Sequence, residues 1–261
     1  MSEGVRNFKL VIQYEGTRYQ GWQRQESTDN TIQGKLELLL TRMLGRKTEV
    51  NGSGRTDAGV HALGQVANFH GMTEMSCEEI RGYMNGYLPE DIGVISVEEV
   101  PDRFHSRLNA VGKTYLYRVW NTDIPAVFER RYVYEFPGRL EEEAMREAAG
   151  YLTGRHDFQA FTSAKRGKKS TIRTIDDICV ERVGQEIRFT YSGDGFLYHM
   201  VRILTGTLLE VGTGARKPED IRTIMDRRLR ENAGELVPAK GLTLVEVRYN
   251  DRSFYENKGK W

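Results

Sequence analysis

Between residues 47 and 69 the chain alternates, breaks into glycine, and alternates again. Lys47-Thr-Glu-Val50 and Gln65-Val-Ala-Asn-Phe69 carry the period-two pattern of half-buried strands. The intervening Gly52-Ser-Gly-Arg-Thr-Asp-Ala-Gly-Val-His61 is too rich in glycine to propagate either a helix or a strand. The pattern predicts a strand–loop–strand unit that presents one arginine, Arg55, and one carboxylate, Asp57, at the edge of a sheet. Glycines 52, 54 and 59 let the backbone take positive φ and let a ligand come close. Taken alone, a glycine-rich turn with one Asp requires nothing more than a turn.

The flanking chain supplies a fold for this loop. Residues 8–14 read as a strand. Thr31 is placed to cap a helix with the apolar stripe Ile32, Leu36, Leu39, Leu40 and Met43, stopped by Gly45. After the loop come a short helix over 78–85 and a strand over 92–97. Strand, helix, two strands, helix, strand is the split βαβ order of a ferredoxin-like unit. The second half repeats the vocabulary: a strand at 113–120, a helix over 140–152 through Leu140, Ala144, Ala148 and Leu152, and strands at 175–183 and 186–192. A helix follows over 195–211, then one opened by Pro218 with Ile221, Met225 and Leu229 inward, and a last strand at 242–249. The tail 254–261 reads as polar and frayed. The fold class is therefore α+β: two ferredoxin-like halves with largely antiparallel sheets and helices on one side, divided near residues 103–112 into 1–105 and 106–261.

Bulk properties narrow the function. The chain has 261 residues, 39% of them hydrophobic and 29% charged, enough for one large or two smaller cores. It lacks an apolar run of membrane-spanning length, and its start lacks a signal-peptide core, so no membrane role is expected. Cys77 and Cys179 lie far apart with no CxxC spacing, which suits a reducing cytoplasm and excludes a thiolate zinc site. His61, His70, His105, His156 and His199 show no paired ligand spacing, so no metal is expected. His156-Asp157 are neighbours on a strand and point to opposite faces, which favours structural roles. The loop lacks the Gly-Lys-Ser/Thr of a nucleotide P-loop. A net charge of +1 does not advertise nucleic-acid binding, yet charge is segregated. Lys165-Arg-Gly-Lys-Lys-Ser-Thr-Ile-Arg173 carries five cations and no anion, and the stretch 222–230 holds four arginines against one Asp. Acidic residues collect elsewhere, as in Glu98-Glu99 and Glu141-Glu-Glu143. Such clusters suit either a solvated surface or phosphate contacts that position RNA without reading its sequence. Arg202 sits on the very apolar helix 195–211, where a cation either snorkels to solvent or finds an anion.

Gly54-Arg-Thr-Asp-Ala-Gly-Val-His-Ala62 resembles the signature of the tRNA pseudouridine synthases of the TruA type. The resemblance continues through Tyr14-Glu-Gly-Thr-Arg-Tyr-Gln-Gly-Trp-Gln-Arg-Gln25, Thr31-Ile-Gln33, Leu88-Pro-Glu-Asp-Ile92, Phe104-His-Ser-Arg107 and Lys113-Thr-Tyr-Leu-Tyr117. Gly154-Arg-His-Asp-Phe158, Gly195-Phe-Leu-Tyr-His-Met-Val-Arg202 and Gly241-Leu-Thr-Leu244 complete the family's order. There are departures: Glu15 stands for Asp, Ser106 for Ala, and Val237-Pro-Ala-Lys240 for a segment that usually ends in His or Glu. The Lys240 change lies beside the active-site Gly-Leu, where it bears on substrate choice.

The resemblance implies the pseudouridine synthase fold and the isomerisation of uridine to pseudouridine in tRNA, at positions 38, 39 and 40 of the anticodon arm. It implies no cofactor and no metal, since the rearrangement neither gains nor loses electrons or groups. Asp57 matches the catalytic carboxylate, which attacks C1′, adds to C6 or abstracts a sugar proton. Arg202 matches its ion-pair partner, holding it ionised and aimed. Tyr115 matches the active-site tyrosine, stacking on uracil and assisting removal of the C5 proton. Leu242 would form an apolar wall against the base, and Arg55 would fill or hold open the gap left by the flipped nucleotide. Tyr19, Trp22 and Gln23 are candidates for tRNA contact or cleft shaping, with core packing equally open for Trp22. Lys165, Arg166, Lys168 and Lys169 are candidate phosphate contacts. A homodimer spanned by one tRNA is implied too, the second half contributing the interface. Two alternatives stand beside this reading: a non-catalytic RNA-binding or RNA-folding module on the same scaffold, and a paralogue acting at another RNA position. The presence of Asp57, Tyr115 and Arg202 together argues against the first.

Overall fold

The computed structural model describes residues 4–165, 167 and 170–250. Arg166, Lys168 and Lys169 of the basic loop, and the tail 254–261, lie outside the described residues. The chain divides into two compact units, Met1–Val111 with Leu244–Trp261, and Gly112–Thr243.

The first unit runs β1 (Arg6–Tyr14), α1 (Ile32–Leu44), β2 (Asn51–Gly52), β3 (His61–Gly71), α2 (Cys77–Tyr87) and β4 (Ile92–Val100). β1 pairs antiparallel with both β3 and β4, and β2 pairs antiparallel with β3. β4, β1 and β3 are neighbours in that order, and the two-residue β2 pairs with β3 off the main path of the sheet, which keeps the strand neighbours of the split βαβ unit the pattern predicts. α1 begins at a Thr31 cap whose hydroxyl accepts the Gly34 N–H and ends at Gly45 in the left-handed region, φ 67°. Ser76 and Glu79 form a capping box on α2. Phe8, Leu10, Ile12, Leu36, Phe69 and Ile80 fill the core and are wholly buried.

One expected strand is replaced. Residues 47–50 alternate in burial but do not pair as a strand, and β2 is two residues long. Their backbone donors go instead to α1: the Thr48 N–H to the Thr41 hydroxyl at 3.1 Å and the Val50 N–H to the Glu37 carboxylate at 3.1 Å. A donor spent on a side chain cannot extend a ladder.

The second unit runs β5 (Ala110–Trp120), β6 (Tyr134–Glu135), α3 (Glu142–Gly150), β7 (Gly154–Asp157), β8 (Ile172–Val183), β9 (Glu186–Gly193), α4 (Met200–Gly212) and α5 (Asp220–Arg227), and the last strand is β10 (Leu242–Tyr249). β9 pairs antiparallel with β5 and β8, β7 pairs antiparallel with β8, and the short β6 pairs parallel with β5. The molecule is thus α+β with mostly antiparallel sheet. β10 hydrogen-bonds to β3, which groups the end of the chain with the first unit, whereas a cut at residue 105 assigns it to the second.

Three helical expectations shift. α4 starts at Met200 rather than 195, because His199 sits at φ 65° and cannot continue a helix backwards. α3 buries Met145, Ala148 and Ala149, with Ala144 only half buried. α5 buries Ile221 and Ile224; Arg228, at φ 55°, ends it before Leu229, which is exposed, and Met225 is half buried.

Candidate active site

The Asp57 loop is held by its backbone on every side. Ser53 donates its N–H to the Val66 carbonyl at 2.7 Å and its hydroxyl to Gln65 Oε1 at 2.7 Å. Gln65, wholly buried on β3, returns its amide to the Gly54 carbonyl at 3.1 Å. The Thr56 carbonyl accepts the Trp22 N–H at 3.0 Å, and the Thr56 hydroxyl shares a 2.7 Å hydrogen bond with Tyr14. Burial pushes the Tyr14 phenol up to about 12 against the lowering pull of Thr56 and Gln65, so it stays neutral beside the loop. The Val60 N–H closes onto the Asp57 carbonyl at 3.2 Å, through Gly59 at φ 78°. Asp57 itself is half buried, between a buried Thr56 and an exposed Ala58.

The motif at 14–25 is the loop's cradle. A Cβ on Gly16 would lie 2.0 Å from the Val60 carbonyl oxygen, and one on Gly21, at φ +87°, 2.7 Å from that of Thr56. The Gly16 N–H donates to His61 Nδ1 at 3.0 Å. Trp22 is 2% exposed, its indole lying over Gly52, where a Cβ would meet it at 2.5 Å. Tyr19 is 4% exposed and donates to Asp91, which also takes the Arg18 guanidinium at 2.7 Å. Trp22 therefore takes the packing role of its two readings, and Tyr19 is likewise interior. Gln23 is half exposed and accepts from Arg55, which is exposed, at 3.0 Å. Beside them an open cleft of about 460 Å³ is lined by Gln23, Arg24, Gln33, Glu37, Lys47 and Asn51, among others.

The second unit holds Tyr115, Arg202 and Leu242. Tyr115 is 8% exposed on β5, opposite Tyr191, its ring edge-on to Phe196 with centroids 5.3 Å apart. Arg202, in the first turn of α4, is half buried on a helix whose other residues, Glu210 excepted, are buried. Its Nε–H donates to the Val237 carbonyl at 2.8 Å, and the Tyr117 hydroxyl donates to the next carbonyl, Pro238, at 2.7 Å. Burial raises the Tyr117 phenol while the Arg202 charge pulls it down. The two side chains thus pin the segment that leads, through Gly241 packed on the Tyr117 ring, to the buried Leu242.

Sequence reasoning missed Tyr14, Gln65 and Glu37 as supports of the site. Tyr14 opens the motif at 14–25, and Glu37 interrupts the apolar stripe of α1; Gln65 left no signal beyond its place in an alternating strand. Of the second basic stretch, Arg222 lies over the Tyr151 ring at 4.4 Å, Arg228 pairs with Asp157 at 3.1 Å, and Arg230 donates to the Gly234 carbonyl. These three serve the fold. His156 and Asp157 bind separately, to the Thr153 carbonyl and to Thr171. Lys165 is exposed. Among the described residues no cluster of three potential metal ligands exists, and no helix is long and apolar enough to cross a membrane.

A family model described as tRNA pseudouridine synthase matches residues 10–109 and 148–250. The chain is 49% identical over 94% of its length to all of a tRNA pseudouridine synthase A of Bacillus sp. (strain KSM-64). It is 44% identical, with the same coverage of both chains, to proteins called tRNA pseudouridine synthase A 2 in Bacillus anthracis and in Clostridium perfringens (strain 13 / Type A). A solved structure of an archaeal box H/ACA sRNP Nop10-Cbf5 complex overlays with a TM-score of 0.37 and 12% identity, over 89% of this chain and 58% of that one, too slight a likeness to carry any argument. By the family match and these relatives, the chain belongs to the tRNA pseudouridine synthase family.

Proposed function

We propose that this protein isomerises uridine to pseudouridine in tRNA, at positions 38, 39 and 40 of the anticodon arm, with Asp57 as the reacting carboxylate. The observation that carries the reading is the Asp57 loop, which offers a half-buried carboxylate on a backbone fixed at Ser53, Gly54, Thr56 and Val60. A carboxylate that must meet one atom of a ribose or uracil needs such preorganisation.

The reaction breaks the N1–C1′ bond, rotates the uracil, forms C5–C1′, and moves one proton from C5 to N1, so nothing is consumed. Asp57 attacks C1′, adds to C6, or takes a sugar proton. Arg202 is its ion-pair partner and orients it. Tyr115 stacks on the base and assists departure of the C5 proton, and Leu242 walls the base. The uridine is flipped out to react, and Arg55 occupies the space it leaves. The first half of the chain carries the catalytic loop, and the second half carries Tyr115, Arg202 and Leu242 and supplies the interface of a homodimer in the cytoplasm. The loop from Lys165 to Lys169 contacts tRNA outside the reacting base.

The test is to incubate unmodified tRNA with the protein and map pseudouridine by carbodiimide-dependent reverse-transcription stops. Stops that report pseudouridine only at 38, 39 and 40 support the reading. Stops elsewhere would make this a synthase for another site, and none in any tRNA would favour a non-catalytic binder.

A further inference from the structure

Arg55 is tied to the interior by a line of side-chain amides. Its Nε–H donates to Gln23 Oε1 at 3.0 Å. Gln23 Nε2 donates to Gln33 Oε1 at 2.9 Å, and Gln33 Nε2 donates to Glu37 Oε1 at 2.9 Å and to the Val50 carbonyl at 3.0 Å. Glu37 Oε1 also accepts the Val50 N–H at 3.1 Å, and its other oxygen takes the Arg24 guanidinium at 3.2 Å. The line runs from an exposed guanidinium through two half-exposed amides to a carboxylate only 7% exposed.

Its direction is fixed by chemistry. A guanidinium only donates and an ionised carboxylate only accepts. Each amide between them is therefore forced into one orientation, oxygen toward Arg55 and nitrogen toward Glu37. Turning either would set two donors or two acceptors face to face. Glu37 lies on a helix face otherwise made of Ile32, Leu36, Leu39 and Leu40, where a carboxylate is costly unless every oxygen is used. Both oxygens are used here. The end that meets Arg55 is a neutral oxygen rather than a second carboxylate, so the cation is oriented but not neutralised. Among the described residues Gln23 is the hydrogen-bond partner of Arg55, and the bond uses Nε, leaving the Nη edge for RNA.

We infer that Gln23, Gln33 and Glu37 are positioning residues that hold Arg55 ready for the gap left by the flipped uridine. The inference rests on the role proposed for Arg55 in that gap. An arginine loses much rotamer freedom when it inserts, and fixing it beforehand shifts that cost out of the reaction.

The test is a double-mutant cycle on single-turnover pseudouridine formation and on tRNA affinity, using Gln23→Ala, Arg55→Ala and the pair. Gln23→Ala is expected to slow turnover roughly tenfold, with affinity held within about threefold, and to cost nothing further once Arg55 is alanine. A full effect of Gln23→Ala in the Arg55→Ala background would overturn the relay, since Gln23 would then act on tRNA or the fold directly. Wild-type turnover by Arg55→Ala would overturn both the relay and the role of Arg55. Should Gln23→Ala fail to fold, Gln23→Asn, which keeps the amide and shortens its reach, gives the same cycle with the same two outcomes.

Discussion

At the scale of single residues, the loop carrying Asp57 is set by absences of side chain as much as by contacts. Gly16 is a glycine because the Val60 carbonyl occupies the place of its Cβ, 2.0 Å away. Gly16→Ala must push Val60 outward or move β1, and either displaces the chain three residues beyond Asp57. The expected cost is roughly 1–3 kcal/mol of stability, as for other overpacked sites, read by urea titration. Turnover should fall further than the lost stability accounts for, because the loop itself moves. A variant as stable and as active as wild type would mean that the loop tolerates displacement. The loop's character was legible from its string of glycines. The reason for each glycine was not, because Gly16 and Val60 are forty-four residues apart in sequence and meet only through strand pairing.

At the scale of elements, local signals worked where backbone and side chain asked for the same thing. Thr31 and Gly45 bound α1 as their cap chemistry requires, and β10 spans residues 242–249, where the last strand is expected. They failed where a distant group intervened: Glu37 drew Val50 out of a strand, and a left-handed His199 cut the start of α4. The β5–β9 pair gives an element-scale prediction. Burial pushes the Glu186 carboxyl up, but its hydrogen bonds with Arg118 and Arg188 outweigh burial and hold it below the ordinary range. A carboxylate depressed in the folded state stabilises above its unfolded value, near 4.3, and that contribution fades as pH falls through the folded value. Wild type should therefore lose stability to urea as pH drops below about 4. Glu186→Gln should be less stable at neutral pH and show a shallower acid limb. Identical pH profiles for the two would show that the ion pairs contribute nothing to folding.

At the scale of the whole molecule, a chain of net charge +1 must bind RNA through local charge. With Arg222, Arg228 and Arg230 engaged within the fold, the loop from Lys165 remains the stronger candidate for binding phosphate. Replacing Lys165, Arg166, Lys168 and Lys169 together by Ala should weaken tRNA binding. It should also lower the slope of log Kd against log salt by about 0.7–0.9 for each phosphate no longer neutralised. An unchanged slope would move the RNA surface elsewhere. Whether Asp57 carries the chemistry is read from tritium release by tRNA labelled at C5 of uridine. Wild type should release tritium, and Asp57→Asn should release none while binding the same tRNA within several-fold of wild type. Release by Asp57→Asn at the wild-type rate would contradict the account outright, and loss of binding in step with loss of release would make Asp57 a structural residue.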